Sequence, residues 1–163
     1  MCEKMAISVL NRRAFVLNGT VAAAFLHSGL AFADDTASPQ MERSKQFEEV
    51  FNALLGGAKP ADGMIVADLP EIAENGNFVP LTIAVDSPMT ADDHVTHIYV
   101  LSTANPVAKI ATFHLSPVNG TARVQSRIRL AKTQDIVILA HMSTGALAIA
   151  TQTVKVTIGG CAS

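Results

Sequence analysis

The residues most suited to chemistry in this chain are Gly159-Gly160-Cys161-Ala162-Ser163. A thiolate makes and breaks S–S bonds by exchange, so a cysteine is equipped to accept another sulfur. Glycine lacks Cβ and samples both signs of φ. Gly159 and Gly160 therefore read as a slender, flexible arm whose bare backbone can enter a narrow channel. Three residues beyond Ile158 extend at most about 10 Å. Neither a helix N-terminus nor a fixed cation is visible beside Cys161 to activate its thiolate. Cys161 thus reads as a loading point on which other proteins act, and no residue is assigned a catalytic role. The alternative is a terminal cysteine that forms an interchain disulfide.

The other cysteine of the two, Cys2, falls in a segment that does not read as part of the fold. Lys4, Arg12 and Arg13 precede an apolar stretch from Ala14 to Leu30, and Ala31-Phe32-Ala33 supplies a small-residue cleavage site. That order describes a secretory signal over 1–33. The stretch is diluted by Asn18, Thr20 and His27, and a membrane span needs about 20 strongly apolar residues. Arg12-Arg13-Ala14-Phe15 is similar to a twin-arginine signal, with Asn11 where Ser or Thr is preferred; an ordinary export signal is the alternative. Export in a bacterium implies a periplasmic protein, with no membrane anchor. Removal of 1–33 leaves Cys161 as the one thiol. In an oxidising compartment an odd thiol is either reactive or an intermolecular link.

Residues 34–163 hold 9 basic and 13 acidic side chains, a balance that does not suit a nucleic-acid binder. Their number fits one domain with a real core. Charge is segregated along the chain. Residues 59–93 carry seven acids against Lys59 alone, whereas 94–132 carry Lys109, Arg123, Arg127, Arg129 and Lys132 with no acid. The basic stripe Arg123, Arg127, Arg129 is either a solvated face or a surface that orients a partner.

The elements that must position the arm follow from periodicity. Ser38-Pro39 reads as a helix start, and Phe47, Val50, Phe51, Leu54 and Leu55 recur at helical spacing. Gly56-Gly57 stops the helix, placing it over about 39–55. From residue 63 the pattern becomes strands: 63–68, 78–86, 94–103, 107–115, 121–130, 134–142 and 146–158, separated by turn signals such as Glu74-Asn75-Gly76-Asn77 and Asn105-Pro106. Seven short strands at this spacing predict an all-β, immunoglobulin-like antiparallel sandwich with one N-terminal amphipathic helix. In the last strand Val154, Val156 and Ile158 share a face, which roots the arm in a sheet. Strand 134–142 is continuously apolar from Ile136 to Ala140 and so should be covered on both faces. The helix or a second subunit can supply the cover. The expected organisation is a signal at 1–33, a helix-plus-sandwich domain at 34–158 and an arm at 159–163.

Several stretches together carry a family resemblance: Glu74-Asn75-Gly76 with Val79-Pro80, Val85-Asp86-Ser87-Pro88-Met89-Thr90, Ala111-Thr112-Phe113-His114, Arg127-Ile128-Arg129-Leu130-Ala131, and Val154 through Cys161. In these the chain resembles the SoxY family, the sulfur-carrier subunits of bacterial thiosulfate oxidation. The resemblance implies covalent carriage of sulfur intermediates on Cys161, with no other cofactor, and a heterodimer with a SoxZ-like subunit. It also implies transient docking to a c-type cytochrome that loads thiosulfate, a hydrolase that releases sulfate, and a dehydrogenase that oxidises the remaining sulfane. The family arm usually ends Gly-Gly-Cys-Gly-Gly. Here Ala162-Ser163 follows the cysteine, which bulks the tip and bears on which partners the arm serves.

Other candidates weigh less. His94 and His97 are three apart, so on a strand they face opposite ways and do not share an ion. His114 and His141 complete no zinc spacing, and no metal site is expected. No nucleophile-elbow pattern supports a hydrolase. A redox enzyme would need a resolving cysteine, which the expected mature chain lacks.

Overall fold

The computed structural model describes residues 43–160. The expected signal at 1–33, the Ser38-Pro39 start and Cys161 lie outside the described residues. Among the described residues the α-helix is α1 (Lys45–Leu55), which begins later than the expected 39. Its cap is Ser44, which is extended (φ −68°, ψ 148°) and whose Oγ accepts the Phe47 amide at 3.2 Å. The Ser44 amide in turn donates to the Thr103 carbonyl at 2.9 Å, tying the helix start to the body. A capping hydroxyl satisfies one of the orphan amides of a first turn, which is why the helix starts here. At the other end Gly56 takes the left-handed conformation (φ 55°) and closes α1 as its sequence predicts.

Nine strands follow among the described residues: β1 (Ala61–Asp62), β2 (Ile65–Asp68), β3 (Ile72–Asn75), β4 (Val79–Val85), β5 (Val95–Ser102), β6 (Lys109–His114), β7 (Arg123–Ile128), β8 (Gln134–Met142) and β9 (Leu147–Ile158). They form two sheets. The larger runs β1-β9-β8-β5-β6, with β3 pairing onto the later half of β9; the smaller runs β2-β4-β7. The pairings are antiparallel except that β1 and β3 each lie parallel to β9. Residues from both inner faces, among them Leu81, Ile83, Ile98, Val100, Ile136 and Ile138, make one core. This is the expected immunoglobulin-like sandwich.

β8 lies between β5 and β9 in the larger sheet. Its even residues Ile136, Ile138 and Ala140 enter the core between the sheets. Its odd residues Val137 and Leu139 pack with Phe47 of α1 in a second cluster, which Val50, Phe51, Leu54 and Leu55 join. The cover left open between the helix and a second subunit is therefore provided by the chain's own helix. Phe47 is fully buried there and stacks on Phe51 at 5.3 Å between ring centroids. Burying a phenylalanine contributes about 1.5–3 kcal/mol. The Arg43–Glu48 ion pair on the wet side, at 3.8 Å and half exposed, adds little.

Candidate functional site

Cys161 is the first residue past the described chain, and its root is the backbone around Gly159 and Gly160. β3 pairs with the end of β9 in the register Ile72 to Lys155, Ala73 to Val156 and Asn75 to Ile158. Just beyond, the Gly76 amide donates to the Ile158 carbonyl at 2.8 Å. The Leu130 amide donates to the Gly76 carbonyl at 2.8 Å, and the Gly160 amide donates to the Leu130 carbonyl at 2.9 Å. Three chain segments thus meet backbone to backbone: the turn after β3, the segment after β7, and the arm.

That meeting needs glycine at three places. A Cβ on Gly160 would overlap the Gly76 carbonyl and the Asn77 amide. One on Gly159 would overlap the Ala131 carbonyl. One on Gly76 would overlap the Leu130 carbonyl and stand 2.9 Å from both the Gly160 nitrogen and Val156 Cγ1. Sequence reasoning assigned Gly159 and Gly160 to tether freedom and rooted the arm at Ile158. The structure gives them close-packing neighbours as well and carries the root on to Gly160. The turn is fixed by Asn75, whose Oδ1 accepts the Asn77 amide at 2.9 Å and whose carbonyl accepts the Phe78 amide at 3.2 Å.

The segment that receives Gly160 is held by a buried polar network. Asn105 Nδ2 donates to the Arg129 carbonyl at 2.8 Å, and Asn105 Oδ1 accepts the Ala131 amide at 2.9 Å. The side chain of Asn105 so clamps both sides of Leu130. Gln134 Nε2 donates to the same Asn105 oxygen at 2.8 Å, and Gln134 Oε1 accepts from Ser102 Oγ and from the Ala104 amide. Ser102, Asn105 and Gln134 are all buried. Buried polar groups of this kind specify one arrangement when each is satisfied. Sequence reasoning read Asn105-Pro106 as a turn signal and passed over Gln134, because the partners of both lie far along the chain.

The surroundings of the root are basic and aromatic. The Arg127 guanidinium lies over the Phe78 ring, 4.3 Å from its centroid. Arg123 and Arg127 sit on the exposed face of β7, and Arg129 follows just after the strand. None of the three makes an ion pair among the described residues.

The histidines are placed elsewhere. His94 lies before β5, its Nδ1 3.0 Å from the Thr90 carbonyl. His97 is in register with both His114 and His141. Its ring lies 4.5 Å from that of His114, and Tyr99 lies 5.0 Å from His141. The sequence showed three histidines on separate strands; cross-strand register brings them to one sheet face. Burial pushes the His141 pKa down, the neighbouring His97 charge lowers it further, and the Leu54 backbone pulls the other way. His141 Nε2 is enclosed without a hydrogen-bond partner. Among the described residues no group of three or more His, Cys, Asp or Glu is arranged to hold a metal.

The family profile for "Sulfur oxidation protein SoxY" matches residues 51–161, ending on the cysteine itself. The chain belongs to the SoxY family. Among solved structures, the sulfur carrier protein SoxY from Chlorobium limicola f thiosulfatophilum is similar at 33% identity, with a TM-score of 0.57 over 69% of this chain and 97% of that one. A superoxide reductase (neelaredoxin) variant from Ignicoccus hospitalis shares the fold at 17% identity, with a TM-score of 0.52 over 72% of this chain and 91% of that one. At that identity the likeness concerns the sandwich alone. No curated protein matches the chain.

Proposed function

We propose that this SoxY-family chain is a carrier protein of sulfur oxidation that holds sulfur intermediates covalently on Cys161. The observation that carries the reading is the family match, which runs through the Gly159-Gly160 root to Cys161. In the proposed cycle the Cys161 thiolate and thiosulfate lose two electrons to a c-type cytochrome partner. A new S–S bond leaves an S-thiosulfonate on the cysteine. Hydrolysis by a second partner adds water across the terminal S–S bond, releasing sulfate and two protons and leaving a persulfide. A dehydrogenase then oxidises the persulfide sulfur. This chain supplies the sulfur atom and its presentation, and the partners supply the redox centres.

The architecture supports that division of labour. In sequence, Cys161 is the residue after Gly160, whose amide is clamped to the Leu130 carbonyl just past β9. A heterodimer with a SoxZ-like subunit and a periplasmic location reached by twin-arginine export belong to the same proposal. The test is Cys161→Ser. The variant should melt as the wild type does and keep its subunit partner, yet lose thiosulfate-dependent turnover in the reconstituted system. Turnover retained at the wild-type rate would overturn the carrier reading and favour a cysteine that merely links chains.

A further inference from the structure

The arm is short, and that limits where a partner can sit. From Gly160, one further residue and its side chain carry the Cys161 sulfur about 7 Å at most. Even with both glycines released from their cradle, the chain from Ile158 to Cys161 spans about 10 Å. A stable protein–protein contact buries about 800 Å² on each partner, a patch about 32 Å across. Any protein that takes Cys161 into an active site must therefore rest on the body around Gly160, and the surface there must suit it.

One flank of that surface has the composition of a binding patch. Gly160 lies against the Asn77 amide. The next residue, Phe78, is a large apolar side chain left 57% exposed, and the Arg127 guanidinium is stacked on its ring. The contact of Gly160 with Asn77, the covalent steps from Asn77 to the Phe78 ring and the stack on Arg127 place that guanidinium at most about 18 Å from Gly160. Arg123 lies four strand residues, about 13 Å, further along β7, so a patch of ordinary size that includes them reaches out to this side of Gly160. Arg127 pairs with Pro80, and Arg123 pairs with Ala84 on the same outer face of the smaller sheet. Both arginines are exposed and make no ion pair among the described residues, although the chain as a whole is acidic. Two acids border this face: Asp68 on β2, opposite Thr82 and beyond β4 from the arginines, and exposed Asp86, two residues past the Ala84 that pairs with Arg123; neither makes an ion pair with them. Arginine and aromatic side chains dominate binding energy at protein interfaces, and an arginine held on a ring loses less freedom when it binds.

We propose that Phe78, Arg127 and Arg123 form the docking surface for an acidic protein surface flanking the mouth that receives Cys161. The inference rests on the carrier reading and adds the place and the charge of the partner. Complementary charge at this flank steers the encounter and aligns the arm with the mouth, so its loss shows in the concentration of carrier needed, with the chemical step spared.

The test uses the full chain, thiosulfate and the thiosulfate-loading c-type cytochrome purified from the same source. Initial loading rates are measured against carrier concentration at low and high salt. Arg123→Glu with Arg127→Glu should raise the apparent KM for the carrier about tenfold at low salt, leave kcat within about twofold, and flatten the salt dependence. Phe78→Ala should raise KM in the same direction with the salt slope kept. Lys59→Glu, an exposed charge reversal near the C-terminal end of α1, should do neither. Unchanged KM and salt slope in the double variant would overturn the docking surface while leaving the carrier reading intact. A wild-type chain that gains no thiosulfate would overturn both. The isolated chain is also treated with tetrathionate and with neutral iodoacetamide. If the double variant slows tetrathionate alone, by as much as KM rises, the arginines act on the anionic cargo and the protein partner is refuted. Wild-type rates in the double variant with both reagents support the partner.

Discussion

Gly76 and Gly160, which meet at the arm root, should respond differently to the same substitution. Gly76→Ala places a methyl group between two backbones, the Leu130 carbonyl on one side and the Gly160 amide on the other. Neither is the free end of a side chain, so the junction itself must open. Overpacking costs about 1–3 kcal/mol. The Leu130 amide to Gly76 carbonyl bond and the Gly160 amide to Leu130 carbonyl bond are both disturbed, at about 0.5–1.5 kcal/mol each. The expected loss is about 2–6 kcal/mol in urea unfolding, or roughly 10–25 °C in Tm for a domain of this size. Gly160→Ala meets the Gly76–Asn77 peptide just as closely but has an escape, because the arm can lift away. It should forfeit little more than the one hydrogen bond, about 1 kcal/mol, with a drop in Tm of under about 5 °C. The decisive assay is amide hydrogen exchange beside the two melts. In Gly160→Ala the Gly160-region amides should lose protection while those of β8 keep theirs. Equal, small effects of both substitutions, with exchange at Leu130 unchanged, would refute the close-packed root and return the glycines to a purely tethering role.

Other perturbations test the supports of that root. Asn105→Ala strands the Arg129 carbonyl, the Ala131 amide and Gln134; unfolding should show a loss of about 2–4 kcal/mol and exchange should rise at Ala131. Phe47→Ala empties the contact between α1 and the sheet and should cost about 3–5 kcal/mol, read by denaturant unfolding, with protease sensitivity appearing within α1. The depressed His141 pKa means that the folded chain resists a proton which the unfolded chain accepts. Stability from this group is therefore full above the ordinary histidine value of about 6.5 and falls as pH drops below it towards the native pKa. Urea midpoints at pH 7.5 and pH 5 should show a fall that is smaller in His141→Gln.

Much of this architecture was legible in the sequence. Strict alternation in Arg123 to Ile128, a continuous apolar run from Ile136 to Ala140, and intervening turn residues locate the strands to within a few positions. Those patterns are local, and the strands they mark bury one or both faces. What escaped is of two kinds. β1 and β3 are too short to show a period, and they exist because β9 offers an edge to each of them. Ser38-Pro39 offers the stronger local signal for a helix start, whereas the start is set by the Ser44 hydroxyl that caps the Phe47 amide and by the long-range bond from the Ser44 amide to Thr103. At the site, Gly159-Gly160-Cys161 announces itself, but its receptor does not. Gly76, Leu130 and Asn105 come from three different turns, and their meeting depends on both sheets being assembled. The same holds for His97, His114 and His141, which strand register alone brings together.

If Cys161 carries sulfur for other proteins, as we propose, the cargo leaves a mass on the chain. Intact-mass spectrometry of the chain isolated from thiosulfate-oxidising cells, followed by mapping of its C-terminal peptide, tests it most directly. Reductant-sensitive species heavier by sulfur atoms or by a thiosulfate-sized group should appear, all on Cys161 and all absent from Cys161→Ser. An unmodified thiol, or a disulfide-linked dimer as the sole oxidised form, would contradict it.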